Sequence, residues 1–190
     1  MSADLLTEMA APGAGIRRLR MSWEDYLALP EKPKAEWVDG EVVVSPPNNA
    51  EHGLSTSQLA AALIAGLPGL FVMNDVGVLL PRNRLRGPDL TVVATMPTTT
   101  WVEDTPILVL EVLSSSTRAE DLLRKGPEYA AAGVSQYWVV DPDGRSIEVF
   151  ENVDGSWEPL LRLDDRRPTG SVTVGDYGVV PLDLTAILPR

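Results

Sequence analysis

The chain has 190 residues, a formal net charge of -11 and a hydrophobic share of 44%, which is enough for one domain with a core of its own. It has no cysteine and one histidine, His52, so disulfides, thiolate zinc sites, cysteine nucleophiles and a multi-histidine zinc centre within one chain are excluded, and any Ser-His-Asp triad depends on that histidine. The acidic balance argues against a general nucleic-acid binder, which carries a basic face, though not against an enzyme that meets nucleic acid through a local basic strip and a metal.

No apolar run reaches the length of a membrane span, and Met1 to Gly15 lacks a basic region followed by an apolar core, so no membrane partner and a cytoplasmic location are expected. Residues 1–20 are predicted to be a flexible tail: small residues with Pro12, Gly13 and Gly15 precede a basic cluster of Arg17, Arg18 and Arg20. Residues 21–190 are expected to form a single domain. Ser22 caps a short helix from Trp23 to Leu29, with Asp25 three residues on, and Pro30 stops it. Ala35 to Ser45 is a hairpin turned by Asp39-Gly40. After the loop Pro46 to Asn49, His52 to Leu67 is a helix with Leu59, Leu63 and Leu67 as its buried stripe.

Leu70 to Pro81 predicts one strand, with Val76, Val78 and Leu80 on one face. If it continues, Arg82, Arg84 and Arg86 alternate and project the same way, either as a solvated edge or as a phosphate-facing strip. Asp89 then heads an apolar strand straight after a Gly-Pro turn, and Met96 to Thr105 is a loop.

The stretch from Pro106 to Ser114 is a continuous apolar, β-branched run, the pattern of a strand covered on both faces, and Glu111 sits within it. Burying an unpaired carboxylate costs several kcal/mol, so the group needs a partner. Glu111 is a neutral or hydrogen-bonded core residue, an edge residue, or a metal ligand. Asp89 on a neighbouring strand favours the last, since two carboxylates can converge on one divalent cation such as Mg2+.

Ser114 to Thr117 supplies capping hydroxyls for a helix from Arg118 to about Ala132, closed by Gly133. On it Asp121, Lys125 and Tyr129 recur every fourth position and share a face; the plain reading is a surface Asp121-Lys125 pair with Tyr129 packed in the core, its hydroxyl directed outward. Gly126-Pro127 threatens a break there, since proline in a helix interior costs about 3 kcal/mol. Strands follow at 136–140, 146–151 and 157–163, joined by the turns Asp141-Pro142-Asp143-Gly144 and Asp154-Gly155, and the chain ends in turn-rich β structure with an apolar close, Leu182 to Leu188. The unit from Ile107 to Val140 is expected to be a right-handed parallel crossover, and the hairpins make the sheet mixed.

An ordered set spans these elements: Glu36-x-x-Asp39-Gly40-Glu41, His52, Pro88-Asp89, Glu111-Val112-Leu113-Ser114, Lys125-x-x-x-Tyr129 and Gly133-Val134-x-x-Tyr137-Trp138-x-Val140-Asp141-Pro142. From about Met21 to Val180 it resembles the bacterial Uma-two family, whose fold is similar to that of the PD-(D/E)XK nucleases, type II restriction endonucleases among them. The resemblance implies an α/β, restriction-endonuclease-like fold: a mixed β-sheet flanked by helices, with an added N-terminal hairpin and a C-terminal β extension. It implies a metal-dependent endonuclease that hydrolyses phosphodiester bonds, DNA rather than RNA, with Mg2+ or Mn2+ held by Asp89, Glu111 and the backbone carbonyl of Val112. The lysine of the motif normally stands two residues after the acidic one, where this chain has Leu113; Lys125 matches the lysine that replaces it in the family. Glu36, His52 and Tyr129 are additional site candidates, and Arg82, Arg84 and Arg86 are candidates for contacting nucleic acid. A homodimer is expected, as such folds often pair.

Leu113 and the acidic charge favour a second reading, a non-catalytic nucleic-acid-binding or dimeric interaction module on the same fold. A third, glycoside hydrolysis by the two acids, needs one carboxyl held neutral and no cation.

Overall fold

In the computed structural model, residues 10–11, 15–29 and 34–188 are described. Strand β1 (Arg17–Arg20) is followed by α1 (Trp23–Leu27), whose first turn is closed by the Asp25 N–H donating to Ser22 Oγ at 3.1 Å. The Asp39-Gly40 turn has positive φ at both residues, 52° and 87°, as a two-residue hairpin requires, and joins β2 (Ala35–Val38) to β3 (Glu41–Val44). Helix α2 (Ala50–Gly66) is capped by Asn49, whose side chain accepts the His52 N–H at 2.8 Å. Then come β4 (Phe71–Asn74), β5 (Val78–Leu80), β6 (Arg84–Arg86), β7 (Leu90–Val93) and β8 (Leu108–Val112). A composite helix follows: α3 (Arg118–Glu120), a π-helical turn (Asp121–Lys125) and α4 (Gly126–Ala131). The last elements are β9 (Gln136–Asp141), β10 (Ser146–Val153), β11 (Ser156–Leu163), β12 (Thr169–Val174), β13 (Gly178–Asp183) and α5 (Leu184–Ile187).

The central sheet has six strands in the order β11-β10-β9-β8-β7-β4. Only β8 and β9 pair in parallel, so the sheet is mixed and the composite helix is the crossover between them. One face packs on α2 and the β12-β13 hairpin, joining Leu59, Leu63, Leu90, Leu110, Trp138 and Val180 in the main core. The other face packs on α4 through Val109, Leu113, Tyr129 and Tyr137. Strand β8 is buried along its whole length, as an apolar run covered on both sides should be. A second sheet, β1-β3-β2-β6-β5, carries the N-terminal hairpin, and β12 with β13 forms the C-terminal extension. No helix among the described residues is long and apolar enough to cross a membrane.

Four expectations are corrected. Residues 1–9 and 12–14 of the expected tail lie outside the described residues, but Arg17–Arg20 is a strand, paired antiparallel with β3. Residues 70–81 form two strands in different sheets, because Asp75, with φ of 55°, turns the chain between β4 and β5. Arg82 and Asn83 also take positive φ, 66° and 55°, so they form a turn that breaks the supposed arginine alternation. Gly126-Pro127 does not break the helix. The Gly126 N–H reaches back five residues to the Asp121 carbonyl, and the π turn delivers Pro127 into the first turn of α4, where its missing donor goes unneeded.

Candidate active site

Strands β7 and β8 are antiparallel with Leu90 opposite Leu110. Carried one residue further, that register sets Asp89 opposite Glu111, and residues directly opposite share a face of the sheet. It is the face on which Val93, Val109 and Leu113 pack with Tyr129. The two acids therefore stand together at the strand ends, each anchored by one oxygen. Asp89 Oδ2 accepts the Val112 N–H at 2.8 Å and lies 3.0 Å from His52 Nε2. Glu111 Oε1 accepts the Tyr129 hydroxyl at 2.8 Å and Lys125 Nζ at 3.2 Å. Asp89 Oδ1 and Glu111 Oε2 take no hydrogen bond from any described residue.

Lys125 comes off the π turn and is buried, its side chain 9% exposed. Its ammonium meets three carboxylates, Glu36 at 3.0 Å and Glu111 and Asp121 at 3.2 Å each. The π turn is itself pinned, since the Asp121 carbonyl accepts the Tyr137 hydroxyl at 3.1 Å and the Gly126 carbonyl accepts Trp157 Nε1 at 2.8 Å. Glu36 arrives from the second sheet. Its Oε1 also accepts the Gly87 N–H at 2.9 Å, while its Oε2 takes Arg86 Nη1 at 2.8 Å. Arg86, 1% exposed, further binds Glu120 at 2.9 Å and holds Glu128 through two bonds of 2.7 and 2.9 Å. Arg18 pairs with the other Glu120 oxygen, so β1 is tied to the same knot.

The electrostatics divide the acids into two kinds. Burial opposes ionisation of Asp89, but the His52 hydrogen bond, the Lys34 and His52 charges and the Val112 N–H outweigh it and hold that carboxyl below its ordinary value. Burial likewise opposes ionisation of Glu36, yet Lys125, Arg86, the Gly87 N–H and Lys34 bring it down to about 2. Glu111 goes the other way. Burial pushes it well up, Lys125 only partly offsets that, and the Asp121 and Asp89 charges add to the rise. Burial also raises Asp121 against the pull of Lys125. The cluster thus crowds carboxyl groups together out of water, and two of them are pushed toward their neutral form. A further cation would relieve that crowding, and Asp89 Oδ1 and Glu111 Oε2, unbonded among the described residues, are the atoms it would meet. No group of three or more His, Asp and Glu side chains is arranged as a metal cage among the described residues. Two carboxylates and a backbone carbonyl make a sparse hold of the kind Mg2+ accepts.

Among the sequence candidates, Asp89, Glu111, Lys125, Glu36, His52 and Tyr129 converge, and the Val112 N–H binds Asp89. Tyr129 is buried as expected, but its hydroxyl points inward onto Glu111. The Asp121-Lys125 pair is buried rather than a surface pair. The arginine strip is not formed. Arg82 lies in an exposed turn, Arg84 pairs with Asp39 at 2.6 Å, and Arg86 is buried among three glutamates, so none of the last two offers a free guanidinium to phosphate. A cleft of about 460 Å3 opens beside the acids, lined by Asn49, His52, Leu113, Ser114, Ser116 and Pro142.

The sequence reading missed Arg86 as an internal clamp, and missed Glu120, Glu128 and Lys34. For Lys34 a signal was present: it stands two residues before Glu36, and alternation sends both the same way.

Comparison with known proteins agrees with this architecture. Residues 23–175 match the model of the Uma2 family, described as "Putative restriction endonuclease". A solved structure described as "a putative nuclease belonging to DUF820 from Anabaena variabilis ATCC 29413" aligns with a TM-score of 0.72 at 17% identity, covering 87% of this chain and 96% of that one. At that identity it speaks for the fold alone. No curated protein matches the sequence.

Proposed function

The chain belongs to the Uma2 family, and from that premise we propose that it is a metal-dependent endonuclease hydrolysing phosphodiester bonds, in DNA rather than RNA. The observation that carries the proposal is the placement of Asp89 and Glu111 on one face by the β7-β8 register, each tethered by one oxygen while the other takes no hydrogen bond from a described residue. The restriction-endonuclease description of the family supports DNA as the substrate.

Asp89, Glu111 and the Val112 carbonyl would hold Mg2+ or Mn2+, which supplies Lewis-acid polarisation of the phosphodiester when bound. The protein's own part is orientation and charge. His52 and the Val112 N–H fix the Asp89 carboxylate, and Tyr129 with Lys125 fixes Glu111. Tyr129 packs in the apolar cluster on this face of the sheet, and Glu111 beside it is buried from bulk water. The cleft beside His52 and Ser114 gives the substrate a way to the rim. The proposal includes a homodimer, which would present one such site to each strand of a duplex.

The test is cleavage of long DNA of mixed sequence with Mg2+ or Mn2+, comparing the wild type with Asp89→Asn and Glu111→Gln. Metal-dependent cutting that both changes abolish supports the reading. A wild type that binds DNA and never cuts it supports the non-catalytic module instead, the reading favoured by a buried Leu113 in the place of the motif lysine.

A further inference from the structure

We propose that Lys34, rather than Lys125, is the lysine that touches the scissile phosphate; the proposal rests on the nuclease reading above.

The Lys125 ammonium is ion-paired with three carboxylates, at 3.0, 3.2 and 3.2 Å, and donates a hydrogen bond to one of them, Glu111. To reach a phosphate oxygen the buried ammonium would have to leave this enclosure and give up contacts it already makes with carboxylates. Lys125 is therefore a positioning residue. It holds Glu111, Glu36 and Asp121 in place.

Lys34 is differently placed. It stands two residues before Glu36, so alternation directs both side chains toward the same face. Its stem crosses the backbone of Gly87, in the Gly-Pro-Asp turn that carries Asp89. A Cβ at Gly87 would sit 2.7 Å from Lys34 Cε and 3.5 Å from Nζ, so the missing side chain is what opens the lane. The same point lies 3.8 Å from Glu36 Oε1, which binds Lys125, so Lys34 passes along the outer side of the buried cluster. Its Nζ ends on Asp75, whose own N–H donates to the Asp89 carbonyl at 3.3 Å. Lys34 is thereby tied to the backbone of the acid it serves, and its charge is among those that keep Asp89 ionised.

The Lys34-Asp75 pair is at the surface, with side chains 37% and 59% exposed. Such pairs are weak, so Lys34 can exchange Asp75 for a phosphate oxygen at little cost. There it would donate to a non-bridging oxygen as negative charge gathers on the phosphoryl group. Hydrolysis adds one water across a P–O bond. Its oxygen joins phosphorus, the leaving oxygen ends with a proton, and Lys34 remains an ammonium throughout.

The experiment uses the full chain and compares wild type, Lys34→Met, Lys34→Arg and Asp89→Asn in the Mg2+ and Mn2+ cleavage assay, with melting temperatures alongside. The expected result is a fall in kcat of about 10²-fold or more for Lys34→Met, from loss of a transition-state contact, with a melting temperature within about 2 °C of wild type. Lys34→Arg, which keeps the charge, should recover most of the rate. If Lys34→Met cuts within about threefold of wild type, less than a kcal/mol of barrier, while Asp89→Asn is dead, this inference falls and the nuclease reading stands. A Lys34→Arg variant as inactive as Lys34→Met overturns it equally. If the wild type cuts nothing with either metal, both fall together.

Discussion

Arg86 Nη1 lies 2.8 Å from Glu36 Oε2, a buried contact between strand β6 and strand β2 that also reaches the crossover helix, because the same guanidinium holds Glu120 and Glu128. Arg86→Met leaves three carboxylates without their common cation. Removing one partner from a buried ion pair costs about 3–5 kcal/mol, and a loss of that size in urea unfolding is expected. Arg86→Lys should recover little of it, since an ammonium cannot reproduce the two-pronged grip on Glu128.

Glu111→Gln and Asp89→Asn should separate function from folding. Both are expected to abolish stabilisation by Mg2+ or Mn2+ in thermal melts and to lower cleavage by about a hundredfold or more, since a Lewis acid contributes several kcal/mol to such a barrier. Without metal, Glu111→Gln should unfold within about 1 kcal/mol of wild type, because burial already pushes that carboxyl toward its neutral form.

His52→Gln tests the orientation of Asp89. The imidazole is 3.0 Å from Asp89 Oδ2 and packs under Thr56 on α2. Losing a group that orients a metal-binding residue typically costs about 10–100-fold in metal affinity or activity. A Mn2+ titration should show the weaker binding, while the main core, which His52 does not join, stays intact.

Glu36 predicts a pH dependence. Its carboxyl is held at about 2 against an ordinary 4.5. The folded value is the lower one, so its contribution to stability is complete above pH 4.5 and is lost as pH falls toward 2. The shift corresponds to about 3 kcal/mol. The stability gap between wild type and Glu36→Gln, measured by urea unfolding at successive pH values, should be full near neutrality and shrink across that window.

Much of the architecture was legible because the deciding signals were local. Asp39-Gly40 can hardly be anything but a hairpin turn, Ser22 caps the helix that follows it, and a carboxylate inside Leu108–Val112 demands a partner. Residues 70–81 misled for the same reason: alternation shows which residues share a face, but not that Asp75 hands the chain from one sheet to the other. The arginines were read as a solvated or phosphate-facing row because pattern alone cannot see Glu36, Glu120 and Glu128 closing on Arg86 from distant segments. The acidic pair was foreseeable from its two strands. The enclosure of Lys125 by three carboxylates was not, since it depends on Glu36 arriving from the other sheet.

The π turn at Asp121–Lys125 sets the phase between the two ends of the crossover helix. Glu120 at one end must meet Arg86, and Lys125 and Tyr129 at the other must meet Glu111. An evenly wound α-helix advances about 100° per residue, so deleting one residue here would yield a smoother rod with one end misaligned by that angle. The surplus residue works like a vernier. It gives up local regularity so that two distant appointments can be kept at once.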